Sequence, residues 1–378
     1  MRIGFDIRPF LRDETGVGVY FKNLLFSLAR IDKENEYFLF SSSMKDRLPQ
    51  SKIPQFEKMR LKDFRYPVRV VNFFLYRFGW PRLDDFFRTE LDLTHSPHPL
   101  LLSTRGRKIV TVHDLFFLDF PERVDKDARK VFRKRIEHSL HNADGVLSVS
   151  RFTAGQVIQR FSVDQRKVKV VYHGINRRLW RDVSDEEIAK TKKKWGLPSS
   201  YLLFVGALEP RKNIGNLLRA FKLILEKRPQ VFLVLLGPEG LDSEAVRKEI
   251  KELDLRFRVK RIGYVAENEL RCIYRSATVF VFPSLWEGFG LPLLEAMASG
   301  LPIAASEKTA IPEVAADAAL YFNPEETEDI ADKVIRILEN EDLRRTLVSL
   351  GNKRIENFDW ERTAGETLDF YREVVSGK

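Results

Sequence analysis

Short apolar runs alternate along the chain with longer stretches whose hydrophobic positions recur at helical spacing. In the first half the runs fall at Arg2–Ile7, Tyr37–Ser41, Leu91–Thr94, Lys108–Val112, Gly145–Val149 and Lys167–Tyr172. In the second half they fall at Tyr201–Val205, Val231–Leu236, Arg258–Ile262, Thr278–Phe282, Pro302–Ala305 and Ala319–Phe322. Most are continuous Val, Ile, Leu and Phe, which is how strands covered on both faces of a parallel sheet read. Between them Val17–Ile31, Glu122–His141, Asn213–Glu226, Ser243–Leu253, Leu291–Ala298 and Asp329–Leu338 carry the helical period. Repeated β-α units predict an α/β fold with parallel sheets.

The series breaks once. Residues 176–198 are polar, with Asp182, Asp185, Glu186 and Glu187 ahead of Lys192, Lys193 and Lys194, and they end at Gly196-Leu197-Pro198. The break predicts a linker, 176–198, with one short helix between two doubly wound domains, 1–175 and 199–358. A last helix, Trp360–Val375, occupies 359–378. Open α/β sheets bind ligands beyond the carboxyl ends of their strands. Chemistry is therefore expected in the loops there, on either side of a cleft.

The strongest such loop is Pro283-Ser284-Leu285-Trp286-Glu287-Gly288-Phe289-Gly290-Leu291-Pro292-Leu293-Leu294-Glu295-Ala296. A strand precedes it, and Pro292 suits the first helical position. Backbone N–H groups near Gly290 and Leu291, with the helix dipole, suit a diphosphate. Glycines at 288 and 290 allow close backbone approach. Glu287 in the loop and Glu295 one turn into the helix are acceptors for paired sugar hydroxyls. Isolated Glu-x7-Glu spacing is common and carries little; the strand–loop–helix setting gives it weight. The second loop, Phe204-Val205-Gly206-Ala207-Leu208-Glu209-Pro210-Arg211-Lys212-Asn213, sets two cations beside a helix start, with Asn213 placed to cap it. Arg211 and Lys212 are candidate diphosphate ligands. Two weaker signals follow. Thr15-Gly16-Val17-Gly18-Val19-Tyr20 opens the first helix, and Thr111-Val112-His113-Asp114 ends a strand.

The run around Glu287 and Glu295 resembles the Glu-x7-Glu signature of retaining glycosyltransferases of family 4, and the resemblance covers essentially the whole chain. It implies the GT-B architecture of two Rossmann-like domains, with the last helix returning to the first domain. It implies that Glu287 meets the donor sugar, Glu295 the nucleotide ribose, and the backbone of Gly288, Phe289, Gly290 and Leu291 the sugar and diphosphate. The run at 209–213 is similar to the family's Glu-Pro-Arg-Lys-Asn phosphate loop, where many members carry Arg directly after the Gly and this chain has Ala207. Gly16 and Gly18 resemble its N-terminal Gly-rich loop, and His113 its histidine near the reacting carbon. Gly263, Tyr264 and Val265 look like its base-contacting turn, Gly237-Pro238-Glu239-Gly240 like a loop of the same pocket, and His173-Gly174-Ile175-Asn176 like its interdomain segment. That branch is similar to mannosyl- and rhamnosyl-type enzymes of surface-polysaccharide assembly. The resemblance thus implies GDP-mannose as donor, with a UDP-sugar possible, a glycan or lipid-diphosphate-linked acceptor, and no cofactor. It also implies front-face transfer in which the donor phosphate takes the acceptor proton. A nucleotide-sugar epimerase of the same fold and a non-catalytic sugar-binding protein are the rival readings.

Composition narrows the setting. Cys272 is the one cysteine, so no intramolecular disulfide forms and a reducing compartment is expected. No secretory pattern follows Met1-Arg2, and no apolar run reaches the roughly 18 residues of a membrane span. The expected location is cytoplasmic, or peripheral on the inner face of the cytoplasmic membrane. Residues 1–175 carry a net charge of +11 and the rest −1. The excess gathers between Lys58 and Arg82, interleaved with Phe64, Tyr66, Phe73, Phe74, Tyr76, Phe78 and Trp80, and again at Lys126, Arg129, Lys130, Arg133, Lys134 and Arg135. Cations mixed with large rings suit an anionic membrane surface, and no nucleic-acid motif accompanies them. His95-Ser96-Pro97-His98 lacks a supporting ligand set, and Asp125-Lys126-Asp127 reads as helix N-terminal charge. No metal is expected.

Overall fold

The computed structural model describes residues 1–11, 16–49, 53–98, 101–119 and 126–377, with backbone alone at 9, 75–77, 126–129, 131 and 132. It divides into two units, Met1–Gly174 with Trp360–Lys378, and Ile175–Asp359.

Unit 1 is built on seven parallel strands: β1 Arg2–Asp6, β2 Glu36–Ser42, β3 Met59–Phe64, β4 Leu93–Ser96, β5 Arg107–Val112, β6 Gly145–Ser148 and β7 Val168–Val170. Their order is β3-β2-β1-β4-β5-β6-β7. Unit 2 has β8 Tyr201–Val205, β9 Phe232–Leu236, β10 Val259–Ile262, β11 Val279–Phe282, β12 Ile303–Ser306 and β13 Ala319–Phe322, all parallel, in the order β10-β9-β8-β11-β12-β13. Each sheet reverses direction once, between β1 and β4 and between β8 and β11. These are the switch points at which such sheets open a crevice. The central strands of unit 2, β8 and β11, are apolar at every position because helices cover both faces; both are buried throughout. In unit 2 Phe204 and Val281 join Leu217, Phe221 and Val334 in one core.

Two local differences from the sequence reading have physical causes. Strand β3 escapes the apolar search because Met59–Phe64 is an edge strand alternating apolar and charged residues. The expected linker is folded structure of unit 2 and holds two helices, Arg177–Arg181 and Asp185–Trp195. Trp180 is buried edge-on against Tyr274, 5.3 Å between rings, and Lys194 pairs with Glu269 at 2.5 Å. Ser184 and Glu187 cap the second helix reciprocally. The last helix, Trp360–Ser376, packs in unit 1, where Tyr371 meets His95 and Thr363 donates to the Tyr172 carbonyl at 2.8 Å.

Candidate active site

In unit 2 the loops after β8 and β11 leave neighbouring strands at the switch point. The Leu285 N–H donates to the Arg211 carbonyl at 2.8 Å, and Arg211 Nη1 to the Trp286 carbonyl at 3.3 Å. This seam brings together three side chains drawn from two motifs. Glu287 is 7% exposed and Lys212 6%. Lys212 Nζ lies 2.5 Å from Glu287 Oε1, and Arg211 Nη1 lies 3.0 Å from Oε2. Arg211 Nε binds Glu209 at 2.8 Å, and the Lys212 ammonium also lies 5.2 Å from the centre of the Phe282 ring. The Glu287 N–H is held by Thr309 at 3.1 Å.

Burial penalises every charge in this cluster. For Glu287 it works to raise the carboxyl pKa, but Lys212 and Arg211 outweigh it and hold the group below its usual range. For Lys212 burial dominates and lowers the ammonium, with Glu287 opposing. The result is a fixed, partly water-excluded pair of cations, the arrangement that stabilises negative charge developing on a leaving group.

Asn213 departs from the sequence reading. It takes the left-handed conformation, φ 59°, and its side chain does not cap the helix Ile214–Lys227. Its Nδ2 donates instead to the carbonyls of Pro283, at 3.2 Å, and Pro324, at 2.6 Å, so it braces the β11 loop. Gly237, φ 144°, lets the β9 loop touch the β8 loop: a Cβ there would lie 2.2 Å from the Gly206 carbonyl oxygen.

The helix Leu291–Ala298 starts from Gly290, which holds φ 101° and has no side-chain cap. Pro292 is its second residue. Gly288 is buried, and Phe289 is buried edge-on to Phe358, 6.0 Å between rings. Leu291 is half-buried. One turn on, the half-buried Glu295 accepts from the Tyr274 hydroxyl at 2.7 Å. Burial lifts its carboxyl to about 7, with Tyr274 pulling down and Glu267 pushing up. Gly263 and Tyr264 are exposed at the end of β10, while Val265 is buried.

In unit 1, Gly16 and Gly18 lie in the first turn of the helix Gly16–Ile31, and Thr15 falls outside the described residues. His113 follows β5. Its Nε2 donates to the Pro97 carbonyl at 2.9 Å, which leaves Nδ1 as the acceptor. Burial lowers its pKa to about 4, so the ring is neutral at physiological pH. Tyr20 meets it edge-on at 4.9 Å and stacks on His173 at 4.7 Å. His95, read as half of a metal-like pair, bonds Tyr371 and Thr111 through its two ring nitrogens at 2.6 and 2.7 Å. Among the described residues no group of three or more His, Cys, Asp or Glu is placed to hold a metal. Asp125 lies outside the described residues, and so do the side chains of Lys126 and Asp127.

The sequence reading missed a cluster at the unit 1 switch point. Asp6 ends β1, is fully buried, and pairs with Arg8 at 2.6 Å and His98 at 3.5 Å. Arg8 also reaches Asn72 at 2.8 Å. The available signal was the Asp-x-Arg spacing directly after the first strand.

On the surface of unit 1, Tyr66, Val70, Phe73, Phe74, Phe78 and Trp80 are exposed on and beside the helix Val68–Phe78, while Val71 and Phe64 turn inward. Arg65, Arg69 and Arg82 are exposed among them; the side chains of Tyr76 and Arg77 are outside the description. Among the described residues no helix is long and apolar enough to cross a membrane.

Residues 15–179 match the model of Glycosyltransferase Family 4, and residues 185–354 that of Glycosyl transferases group 1. O-antigen chain mannosyltransferase B of Escherichia coli is 30% identical over 383 residues, covering 98% of this chain and all of that protein. O-antigen chain mannosyltransferase RfbU of Salmonella typhimurium is 30% identical over 62% of this chain and 60% of its own length. The chain spans about a third of the longer serotype-specific mannosyltransferase WbdA of Escherichia coli, at 30% identity. Among solved structures, sucrose-phosphate synthase of Thermosynechococcus elongatus superposes over both whole chains with TM-score 0.81 at 22% identity. WaaG, a glycosyltransferase of lipopolysaccharide biosynthesis, does so with TM-score 0.73 at 14%. The fold is the two-domain, Rossmann-like GT-B fold.

Proposed function

The chain belongs to the family 4 glycosyltransferases and is a hexosyltransferase; from that premise we propose that it transfers mannose from GDP-mannose, with retention of configuration, to a growing surface-polysaccharide chain. The observation that carries the reading is the end-to-end match, at 30% identity, to an O-antigen chain mannosyltransferase. The nucleotide-diphosphate sugar is assigned to the loops after β8 and β11. Lys212 and Arg211 take the diphosphate and stabilise the charge it gains on leaving. Glu287, already held by both cations, keeps lone pairs for hydroxyls of the sugar. Gly288, Phe289, Gly290 and Leu291 supply backbone contacts, Glu295 the ribose contact, and the Gly263–Val265 turn the base contact. Within unit 1, Gly16 and Gly18 are assigned as backbone contacts and neutral His113, with Nδ1 as acceptor, as a partner for a hydroxyl hydrogen. No side chain is assigned as nucleophile. The acceptor oxygen bonds to the anomeric carbon as the bond to phosphate breaks, and the leaving phosphate takes the acceptor proton.

The test is incubation of GDP-mannose with a lipid-diphosphate-linked glycan acceptor, with product configuration read by NMR. An α-mannoside is expected from the α-linked donor. A β-mannoside, or transfer only from a UDP-sugar, overturns the assignment.

The exposed aromatic and basic face of unit 1 supports docking on an anionic membrane. Flotation with phosphatidylglycerol vesicles is expected to carry the protein at low salt and release it as salt rises. Phe73→Ser with Phe78→Ser is expected to weaken that binding about tenfold, through lost ring burial. Absence of flotation at low salt removes the membrane from the reading.

A further inference from the structure

The two glutamates of one motif sit in opposite surroundings. Glu287 has a cation at each oxygen. Glu295 forms no ion pair among the described residues, and its Oε2 is bound by a phenol, the Tyr274 hydroxyl at 2.7 Å. That phenol has little freedom to leave. Tyr274 lies on the helix Glu267–Ser276 and is fully buried. Its ring is met edge-on by Trp180 at 5.3 Å and at a tilt by Phe280 at 5.6 Å. The hydroxyl has one hydrogen to donate, and it is spent on the carboxylate. Glu295 therefore presents a fixed oxygen pair with lone pairs to spare and no cation to compete for them.

We infer that Tyr274 is a positioning residue that fixes the Glu295 carboxylate to accept from the ribose hydroxyls of the donor nucleotide, and so sets a preference for ribonucleotides over deoxyribonucleotides. The inference rests on the assignment of Glu295 to the ribose made above. A carboxylate held in one rotamer reads a hydroxyl at a defined place, and loss of a hydrogen bond to a charged group costs about 10- to 100-fold in affinity. A carboxylate free to swing makes the same bond to water and discriminates less.

The arrangement also gives binding a direction with pH. Tyr274 and Glu267, both on the helix Glu267–Ser276, are the titratable groups acting on Glu295. The other elements packed on its own helix, Arg177–Arg181, β12, Ile311–Ala315, Glu341–Arg354 and Ile355–Asn357, bring no hydrogen bond or ion pair to it among the described residues. The carboxylate, the form that accepts from both ribose hydroxyls, prevails above about 7 and is lost as pH falls through that value. Removing the Tyr274 hydroxyl removes a group that stabilises the charged form, so the acid limb of binding moves to higher pH.

The experiment is calorimetric titration of the full chain with GDP, UDP and ADP and their 2′-deoxy forms between pH 6 and pH 9, on the natural protein and on Tyr274→Phe. For the nucleotide that binds, the natural protein is expected to prefer the ribo form and to lose that preference as pH falls. Tyr274→Phe is expected to weaken the ribo form about tenfold, to weaken the 2′-deoxy form, which keeps only its 3′-hydroxyl bond, by clearly less, and to shift the acid limb upward. In steady state KM for the donor rises while kcat stays within about twofold. Equal weakening of both forms, or an unmoved limb, overturns the inference. Glu295→Gln separates the two levels. If it leaves nucleotide binding unchanged, the ribose assignment itself fails. If it weakens the ribo form and Tyr274→Phe does not, only the role of Tyr274 fails. Should Tyr274→Phe not fold, the ribo preference and its pH limb in the natural protein still decide; a preference that is flat across this range overturns the inference.

Discussion

Lys212→Met is expected to lower the sugar-transfer rate by about 10³-fold and to destabilise unit 2 by about 3 kcal/mol. The two effects share one cause. Lys212 and Glu287 are both buried and 2.5 Å apart, and methionine keeps the length of the side chain while removing its charge. Glu287 then keeps Arg211 at 3.0 Å but loses its nearer counter-charge, and an under-compensated buried charge is what makes breaking such pairs expensive. On the proposed placement of the donor, the leaving diphosphate loses one of its two cations as well. Urea unfolding measures the first effect, and kcat at saturating donor the second. A rate within tenfold of the natural enzyme removes Lys212 from the chemistry.

The double change Lys212→Met with Glu287→Leu is expected to return stability to within about 1 kcal/mol of the natural protein, because apolar replacement of a whole buried pair is often neutral. Activity is expected to stay down by at least about 10³-fold, since neither the cation proposed for the diphosphate nor the carboxylate proposed for the sugar returns. Arg211 keeps Glu209 and the Trp286 carbonyl as partners, so the fold retains the seam between the loops. The double-mutant cycle thus separates a pair kept for folding from one kept for function. Recovery of stability and rate together points to folding alone.

Much of this site was legible in the sequence because each part sits in its own local pattern. Glu287 and Glu295 announce themselves by a strand end, a glycine loop and a proline-started helix. Arg211 and Lys212 stand before a second helix. That the three side chains Glu287, Arg211 and Lys212 form one cluster was not legible: the joining fact is that β8 and β11 are neighbours across 75 residues of chain. Asn213 reads as a cap because Asn before a helix usually is one; its left-handed backbone and its bonds to Pro283 and Pro324 depend on the β11 loop. Tyr274 and Trp180 carry no local signal, being ordinary apolar-face helix residues whose meaning comes from what they touch. Strands buried on both faces were read to within two residues, whereas edge strand β3 hid behind its charges. The polar segment 176–198 looked like linker because its charges face solvent, while burial of Trp180 ties it into unit 2.

One titration tests most directly whether these loops hold a nucleotide-diphosphate sugar. GDP, UDP and ADP are each titrated calorimetrically into the natural protein and into Lys212→Met, with folding of both confirmed beforehand. At least one is expected to bind the natural protein at one site per chain, and to bind Lys212→Met at least about tenfold more weakly, because the diphosphate has lost a charge-assisted contact. Failure of all three to bind, or equal binding to both proteins, contradicts the placement of the donor on the loops after β8 and β11.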